Sequence, residues 1–183
     1  MKICILSDSH DHIALLDAAV ERAKADGAQA VLHCGDVVAP STLQCLEKHG
    51  LPVHLIHGNN TGDLYTLGRL AADPGSRIQY HGMDAGLELG GRRIFLVHFP
   101  HYARAMAATG DWDLVCCGHS HKSARELVPN MRGGHTLLLN PGTVGGVGKV
   151  PATYLFGDLE SLQFDLREVP KSLEQQTLPL TGT

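Results

Sequence analysis

Three short apolar runs, each closing on polar residues, constrain this chain more than any other feature. Ile3-Cys4-Ile5-Leu6, Ala30-Val31-Leu32-His33-Cys34 and Val53 to His57 have the length and continuity of strands buried on both faces. Helical spacing fills the gaps between them. Residues 12–26 carry Ile13, Leu16, Val20 and Ala23 at steps of three and four and stop at Gly27. A second helix is expected after Pro40, carrying Leu43 and Leu46 and ending at Gly50. A third spans residues 63–72 and closes at Asp73-Pro74-Gly75. Parallel strands need such crossovers, so the first half predicts βαβαβα, an α/β fold around a largely parallel sheet.

The second half changes character. Ile78 to His81 reads as a short strand. Gly86 to Leu89 and Arg93 to His98, joined by Gly90-Gly91, read as a hairpin. An alanine-rich helix is expected from His101 to Ala108, then a buried strand at Leu114 to Cys117. Ala124 to Val128, His135 to Leu139, Ala152 to Asp158 and Leu162 to Val169 read as further strands, mostly antiparallel. At 183 residues the chain suits one domain, residues 1–170, with residues 171–183 as a C-terminal tail that frays or lies along the surface.

Composition excludes some functions. A net charge of -4 supplies no basic patch, so no stable nucleic-acid binding is expected. No apolar run is long enough to span a bilayer, so no membrane partner is expected. Met1 to Leu6 is followed at once by Ser7-Asp8, so no signal-peptide core develops and a cytoplasmic location is expected. Five cysteines in or beside apolar stretches, with no C-x-x-C pair, read as buried free thiols in a reducing compartment rather than structural zinc ligands. Twelve histidines are several times the usual share, so their positions repay attention.

Those positions fall at strand ends. Asp8 and His10 follow the first strand, Asp36 the second and Asn59 the third; His98 ends the hairpin, and His119 with His121 follow the Leu114 strand. In α/β sheets ligands bind outside the carboxyl ends of strands. Asp8 and His10, two apart, face one spot if the chain there is extended. Each piece alone has an ordinary reading. Asp8 could be a helix cap, Gly35-Asp36 and Gly58-Asn59 plain turns, and His98 a hydrogen-bonded strand-end histidine. The ordered set Asp-x-His, Gly-Asp, Gly-Asn, His, Gly-His-x-His is far more specific than its parts.

That set resembles the calcineurin-like metallophosphoesterase superfamily, in particular its small single-domain prokaryotic phosphodiesterase branch, from Met1 to about Pro170. Asn140-Pro141-Gly142-Thr143 is similar to that branch's Asn-Pro-Gly-Ser/Thr turn. The resemblance implies two packed mixed β-sheets flanked by helices, a four-layer αββα sandwich. It implies a binuclear centre with one metal on Asp8, His10, Asp36 and His121, the other on Asp36, Asn59, His98 and His119, and Asp36 bridging. Mixed nitrogen and oxygen ligands favour two divalent transition-metal ions, manganese first, with iron, zinc, nickel or cobalt as alternatives, over magnesium or calcium. The glycines before Asp36, Asn59 and His119 are expected to let the chain turn sharply.

The implied activity is phosphodiester hydrolysis by metal-bound hydroxide, on a small phosphodiester or nucleotide-type substrate. The alternatives are a phosphomonoesterase on nucleotides or phosphoproteins, and a non-catalytic metal-binding scaffold for protein assembly. A homo-oligomer stays open. Two departures mark the candidate catalytic positions. Asn60 stands where phosphatase members place a general-acid histidine. Phe99-Pro100 replaces the glycine of the branch's His-Gly-His, so His101 is the candidate for its second histidine. His12 and His101 are candidate substrate contacts. His33 and His57 are core or edge residues that could support the ligands, and His49, His54, His81 and His135 surface or strand positions.

Overall fold

The computed structural model describes residues 1–169; Pro170 and the expected tail, residues 171–183, lie outside the described residues. The elements run β1 (Lys2–Leu6), α1 (Ile13–Ala25), β2 (Ala30–His33), α2 (Thr42–Glu47), β3 (Val53–Leu55), α3 (Leu64–Ala71), β4 (Ile78–Tyr80), β5 (Asp84–Leu89), β6 (Arg92–Val97), α4 (Pro100–Thr109), β7 (Leu114–Cys116), β8 (Ser123–Pro129), β9 (His135–Pro141), β10 (Thr153–Asp158) and β11 (Gln163–Glu168).

Side-chain alternation along the strands builds the layers. Cys4 and Leu6 of β1 join Val31, Val53 and Leu55 in a cluster under α1 and α2, where Leu16, Val20, Leu43 and Leu46 meet them. Ile3 and Ile5 point the other way and pack with Leu32 against Ile94, Leu96, Leu114 and Leu139 of the second sheet. The outer face of that sheet, Phe95, Val97, Val115 and Leu138, is covered by Ala103 and Ala107 of α4. Two sheets with helices outside give the expected four layers. Ile5 and Leu32 are fully buried between the sheets, and truncating either to alanine costs about 2–5 kcal/mol.

The first sheet has the order β11-β10-β1-β2-β3-β4 and the second β5-β6-β7-β9-β8. β1, β2, β3 and β4 are mutually parallel, and β10 and β11 add antiparallel strands beyond β1. In the second sheet β6, β7 and β9 are parallel, flanked by antiparallel β5 and β8. β9 therefore departs from the mostly antiparallel expectation. Its residues Leu137 to Leu139 are buried on both sides, as a central parallel strand requires. α2 is also shorter than its sequence pattern, because the chain from Ala39 is tied to Asp11 before the helix starts. All five cysteines are buried free thiols. The parallel strands bring their carboxyl ends together, so the loops after β1, β2, β3, β6 and β7 share one edge of the sandwich.

Candidate metal centre

The loop after β1 does not stay extended. Asp8 and His10 have φ values of 55° and 43°, in the left-handed region, and Asp36, His119 and His121 share it at 56°, 67° and 55°. The convergence of Asp8 and His10 thus comes from a coiled loop rather than from strand alternation. Backbone bonds hold that loop: the Asp8 N–H donates to the Gly35 carbonyl and the His10 N–H to the Asp36 carbonyl, both at 3.0 Å. Asp tolerates this region better than most residues, which suits it to Asp8 and Asp36.

Two groups of ligating atoms result. In the first, Asp8 Oδ1 is 3.3 Å from His121 Nε2 and 3.8 Å from His10 Nε2, and the two Nε2 atoms are 3.3 Å apart. In the second, Asn59 Oδ1 is 3.0 Å from His98 Nε2 and 2.8 Å from His119 Nδ1. Asp36 stands between them, its Oδ2 3.6 Å from His10 Nε2 and its Oδ1 3.5 Å from His98 Nε2. All seven expected ligands are therefore within reach of one another at the shared edge.

The donor set fits cations. Asp8 is fully buried; its Oδ2 accepts from the His119 N–H at 3.0 Å, while its Oδ1 has no hydrogen-bond partner. An orphaned buried carboxylate oxygen is costly unless something positive meets it. His98 Nδ1 donates to the Cys34 carbonyl at 2.8 Å, which leaves the Nε2 lone pair facing Asn59 and Asp36. A cation there would satisfy the two lone pairs that His98 Nε2 and Asn59 Oδ1 otherwise oppose at 3.0 Å.

The three glycines make room more than they turn. Only Gly35 has a positive φ, 103°. A Cβ on Gly58 would strike Asp36 Oδ1 and stand 2.7 Å from His98 Nε2. A Cβ on Gly118 would strike Ser7 Oγ and stand 2.6 Å from Asp8 Oδ2. The expectation of sharp turning is thus corrected for Gly58 and Gly118, where closeness of backbone to ligand is the constraint.

Outside the seven, the Asn-Pro-Gly-Thr turn joins two loops. Asn140 Nδ2 donates to the Gly118 carbonyl at 2.8 Å, and Thr143 Oγ1 donates to the Asp8 carbonyl at 2.7 Å. His33, fully buried, accepts from the Gly35 N–H at Nδ1 and meets Ser9 Oγ at 3.2 Å through Nε2. Burial pushes its pKa down to about 3, so it stays neutral. No sequence pattern singles out Ser9, and only the Asn140-Pro141-Gly142-Thr143 turn points toward Thr143. His57 Nδ1 lies 2.5 Å from the Tyr80 hydroxyl, and burial lowers its pKa.

The two expected catalytic positions behave differently. Asn60 donates twice to Asp36, from its backbone N–H to Oδ1 at 2.8 Å and from Nδ2 to Oδ2 at 2.7 Å. His101 is exposed on the first turn of α4, its ring 5.8 Å from Phe99. Phe99 itself packs edge-on against His98 and His119, with centroids 5.2 Å and 5.0 Å away. The Phe99-Pro100 insertion therefore puts an aromatic ring, not the imidazole of His101, against the candidate ligands. His12 caps α1, its Nδ1 accepting from the Leu15 N–H at 3.4 Å.

Four-layer architecture and clustered candidate ligands point to a metallophosphoesterase, and comparison with known proteins shows the family. Residues 1–162 match the calcineurin-like phosphoesterase superfamily domain, and the chain belongs to that superfamily. It is thereby a phosphoric ester hydrolase of a class that uses divalent metal ions. It is 27% identical over 171 residues to phosphodiesterase MJ0936 of Methanocaldococcus jannaschii, covering 92% of this chain and 98% of that one. A solved archaeal phosphodiesterase superposes with a TM-score of 0.82 at 26% identity, over 92% of this chain and 99% of that one. Zinc-complexed Vps29 of Entamoeba histolytica shares the fold with a TM-score of 0.59 at 16% identity, over 93% and 100%. Among the described residues no helix is long and apolar enough to cross a membrane.

Proposed function

We propose that the protein is a binuclear metal-dependent phosphodiesterase acting on a small diester. The observation that carries this reading is Asp36, whose two oxygens face two separate groups of ligands. One ion would take Asp8, His10, Asp36 and His121, and the other Asp36, Asn59, His98 and His119, with manganese the first candidate. When bound, two such ions supply an activated water and neutralise charge on a phosphoryl oxygen.

The chain's own residues do the positioning. Asp36 would offset the repulsion between two neighbouring cations. Asn60 directs its backbone N–H and one side-chain N–H at Asp36 and so orients that carboxylate; as an amide it has no proton to give a leaving group at neutral pH. His98 is fixed by the Cys34 carbonyl, and Asp8 by the His119 N–H. A diester, with one negative charge fewer than a monoester dianion, asks less of this site. Beside the first ligand group His121, Lys122 and Glu168 line an open recess of about 400 Å³, room enough for a small substrate. The similarity to a protein named a phosphodiesterase supports the same substrate class.

The test is turnover of aryl diesters and aryl monoesters by chelator-stripped protein reloaded with manganese, with metal content measured in parallel. Diester turnover that returns with two equivalents of metal is expected. Faster monoester turnover would replace the diesterase reading, and tight metal binding without turnover of any ester would favour the scaffold.

A further inference from the structure

One cluster of ligating side chains plays no part in this centre. It lies on the helix side of the first sheet, where α1 packs on α2. Cys45 sits in α2 and His49 just beyond its end, four residues on, so both face α1. α1 presents Asp17 to them. Asp17 Oδ1 is 2.8 Å from His49 Nε2 and 3.7 Å from Cys45 Sγ, and one ligand atom of each residue lies within 4.8 Å of the other two. Cys45 and His49 are only 7% and 8% exposed, so the arrangement is held by packing. The His49 backbone is anchored at both ends: its N–H donates to the Leu46 carbonyl, and its carbonyl accepts from Lys24 Nζ at 2.6 Å.

We propose that Cys45, His49 and Asp17 form a second metal site, distinct from the strand-end centre, that binds a thiophilic divalent cation such as zinc or cadmium.

The donor chemistry selects the cation. Sulfur, imidazole nitrogen and carboxylate oxygen together suit zinc-like ions, whereas the strand-end centre offers only nitrogen and oxygen. In a tetrahedral zinc site bonds of about 2.0–2.3 Å place neighbouring donors about 3.5 Å apart; Asp17 Oδ1 now stands 2.8 Å from His49 Nε2 and 3.7 Å from Cys45 Sγ, so small side-chain shifts reach that geometry. On binding, the Cys45 S–H bond breaks, a sulfur–metal bond forms and the proton leaves to solvent. Thiolate and carboxylate then balance the two positive charges. Lys48, whose amine lies 2.7 Å from Asp17, is 56% exposed and can swing into water as the cation replaces it. A water completes the fourth position. Such a clamp ties α1 to α2, the helix whose start is held by Asp11 next to His10.

Cobalt titration of the chelator-stripped full-length protein tests this, because thiolate bound to cobalt gives a near-ultraviolet charge-transfer band and a nitrogen–oxygen site gives none. The band is expected in the wild type and lost on adding zinc. Cys45→Ala abolishes it while leaving manganese-supported ester turnover unchanged. His49→Gln keeps the thiol and weakens cobalt binding at this site at least about tenfold, so the assignment does not depend on one variant folding. No band, a band that survives in Cys45→Ala, or an unchanged titration in His49→Gln overturns the proposal.

Discussion

Gly58→Ala is a one-methyl perturbation aimed at the centre of the site. Gly58 does not have a positive φ, so alanine meets no backbone objection there. The conflict is space. The new Cβ would stand 2.7 Å from His98 Cε1 and Nε2, and closer still to Asp36 Oδ1, where ordinary contact begins at 3.4 Å. The His98 ring must retreat by about 0.7 Å, and Asp36 by more. Neither has slack: each is 1% exposed, and His98 is pinned to the Cys34 carbonyl at 2.8 Å. Functional constellations tolerate about 0.5 Å, and a misplacement of about 1 Å can cost about 100-fold in rate. Overpacking also costs about 1–3 kcal/mol of folding stability. The expected outcome is a folded protein that loses metal on desalting, by mass spectrometric analysis, with kcat/KM on an aryl diester down about 100-fold. Gly68→Ala is the control. Gly68 lies in α3 with nothing within 4 Å of its added Cβ, and alanine there should stabilise by up to about 1 kcal/mol. A Gly58→Ala protein with full metal content and unchanged kcat/KM would refute the steric argument.

Asp36→Asn should lower the content of both metals after desalting, whereas Asn59→Ala should lower that of one; retention of two metals by the Asp36 variant would end the bridging assignment. Asn60→Ala keeps the backbone bond to Asp36 but loses the side-chain one, so metal affinity should fall about 10–100-fold. The steepness of rate against leaving-group pKa should not change, and a changed Brønsted slope would show that Asn60 touches the leaving group. His33 has a folded pKa of about 3 against an ordinary 6.5, so the unfolded chain binds the proton first and stability is present above about pH 6.5 and lost as pH falls toward 3. Denaturant unfolding of metal-free protein should lose about 2–3 kcal/mol from this group between about pH 6.5 and 4.5, at about 1.4 kcal/mol per pH unit; an equal loss in His33→Asn would remove His33 as the cause.

Sequence showed the order of elements because continuous apolar runs such as Ile3 to Leu6 leave a strand buried on both faces no alternative. It also showed which strand ends carry ligating types. What it could not show is how the loops bend. Asp-x-His reads as i, i+2 in an extended chain, but Asp8 and His10 reach one spot through left-handed conformations held by the carbonyls of Gly35 and Asp36, a contact across 27 residues or so that no local pattern records. The parallel course of β9 was hidden for the same reason, since pairing direction depends on where a long connection returns. His101 illustrates the opposite failure. Its spacing from His98 invites a role at the site, yet Pro100 starts α4 at once and turns His101 outward, leaving Phe99 to fill the gap. Taken one at a time, Cys45 reads as a buried thiol and His49 as a surface or strand position; their partner Asp17 lies 28 residues before Cys45.

The loop conformations bear on metal removal. Left-handed backbone costs about 1–2 kcal/mol for a residue with a Cβ, and Asp8, His10, Asp36, His119 and His121 all adopt it. Hydrogen bonds from the loop backbones and from Thr143 offset part of that cost. The fully buried Asp8, with Oδ1 unpartnered, adds an uncompensated charge beside Asp36, itself 1% exposed. Cations at the proposed centre would relieve both carboxylates, and they would bind the folded loops alone, because the unfolded chain scatters the seven candidate ligands. Each occupied site then adds about 2.7 kcal/mol at a metal concentration 100 times its dissociation constant. Chelation should therefore lower the thermal midpoint, and the loss should shrink in Asp8→Asn, where the buried charge is gone before the metal leaves. A midpoint unchanged by chelation, in protein shown to have held metal beforehand, would mean that the loops are paid for by packing alone.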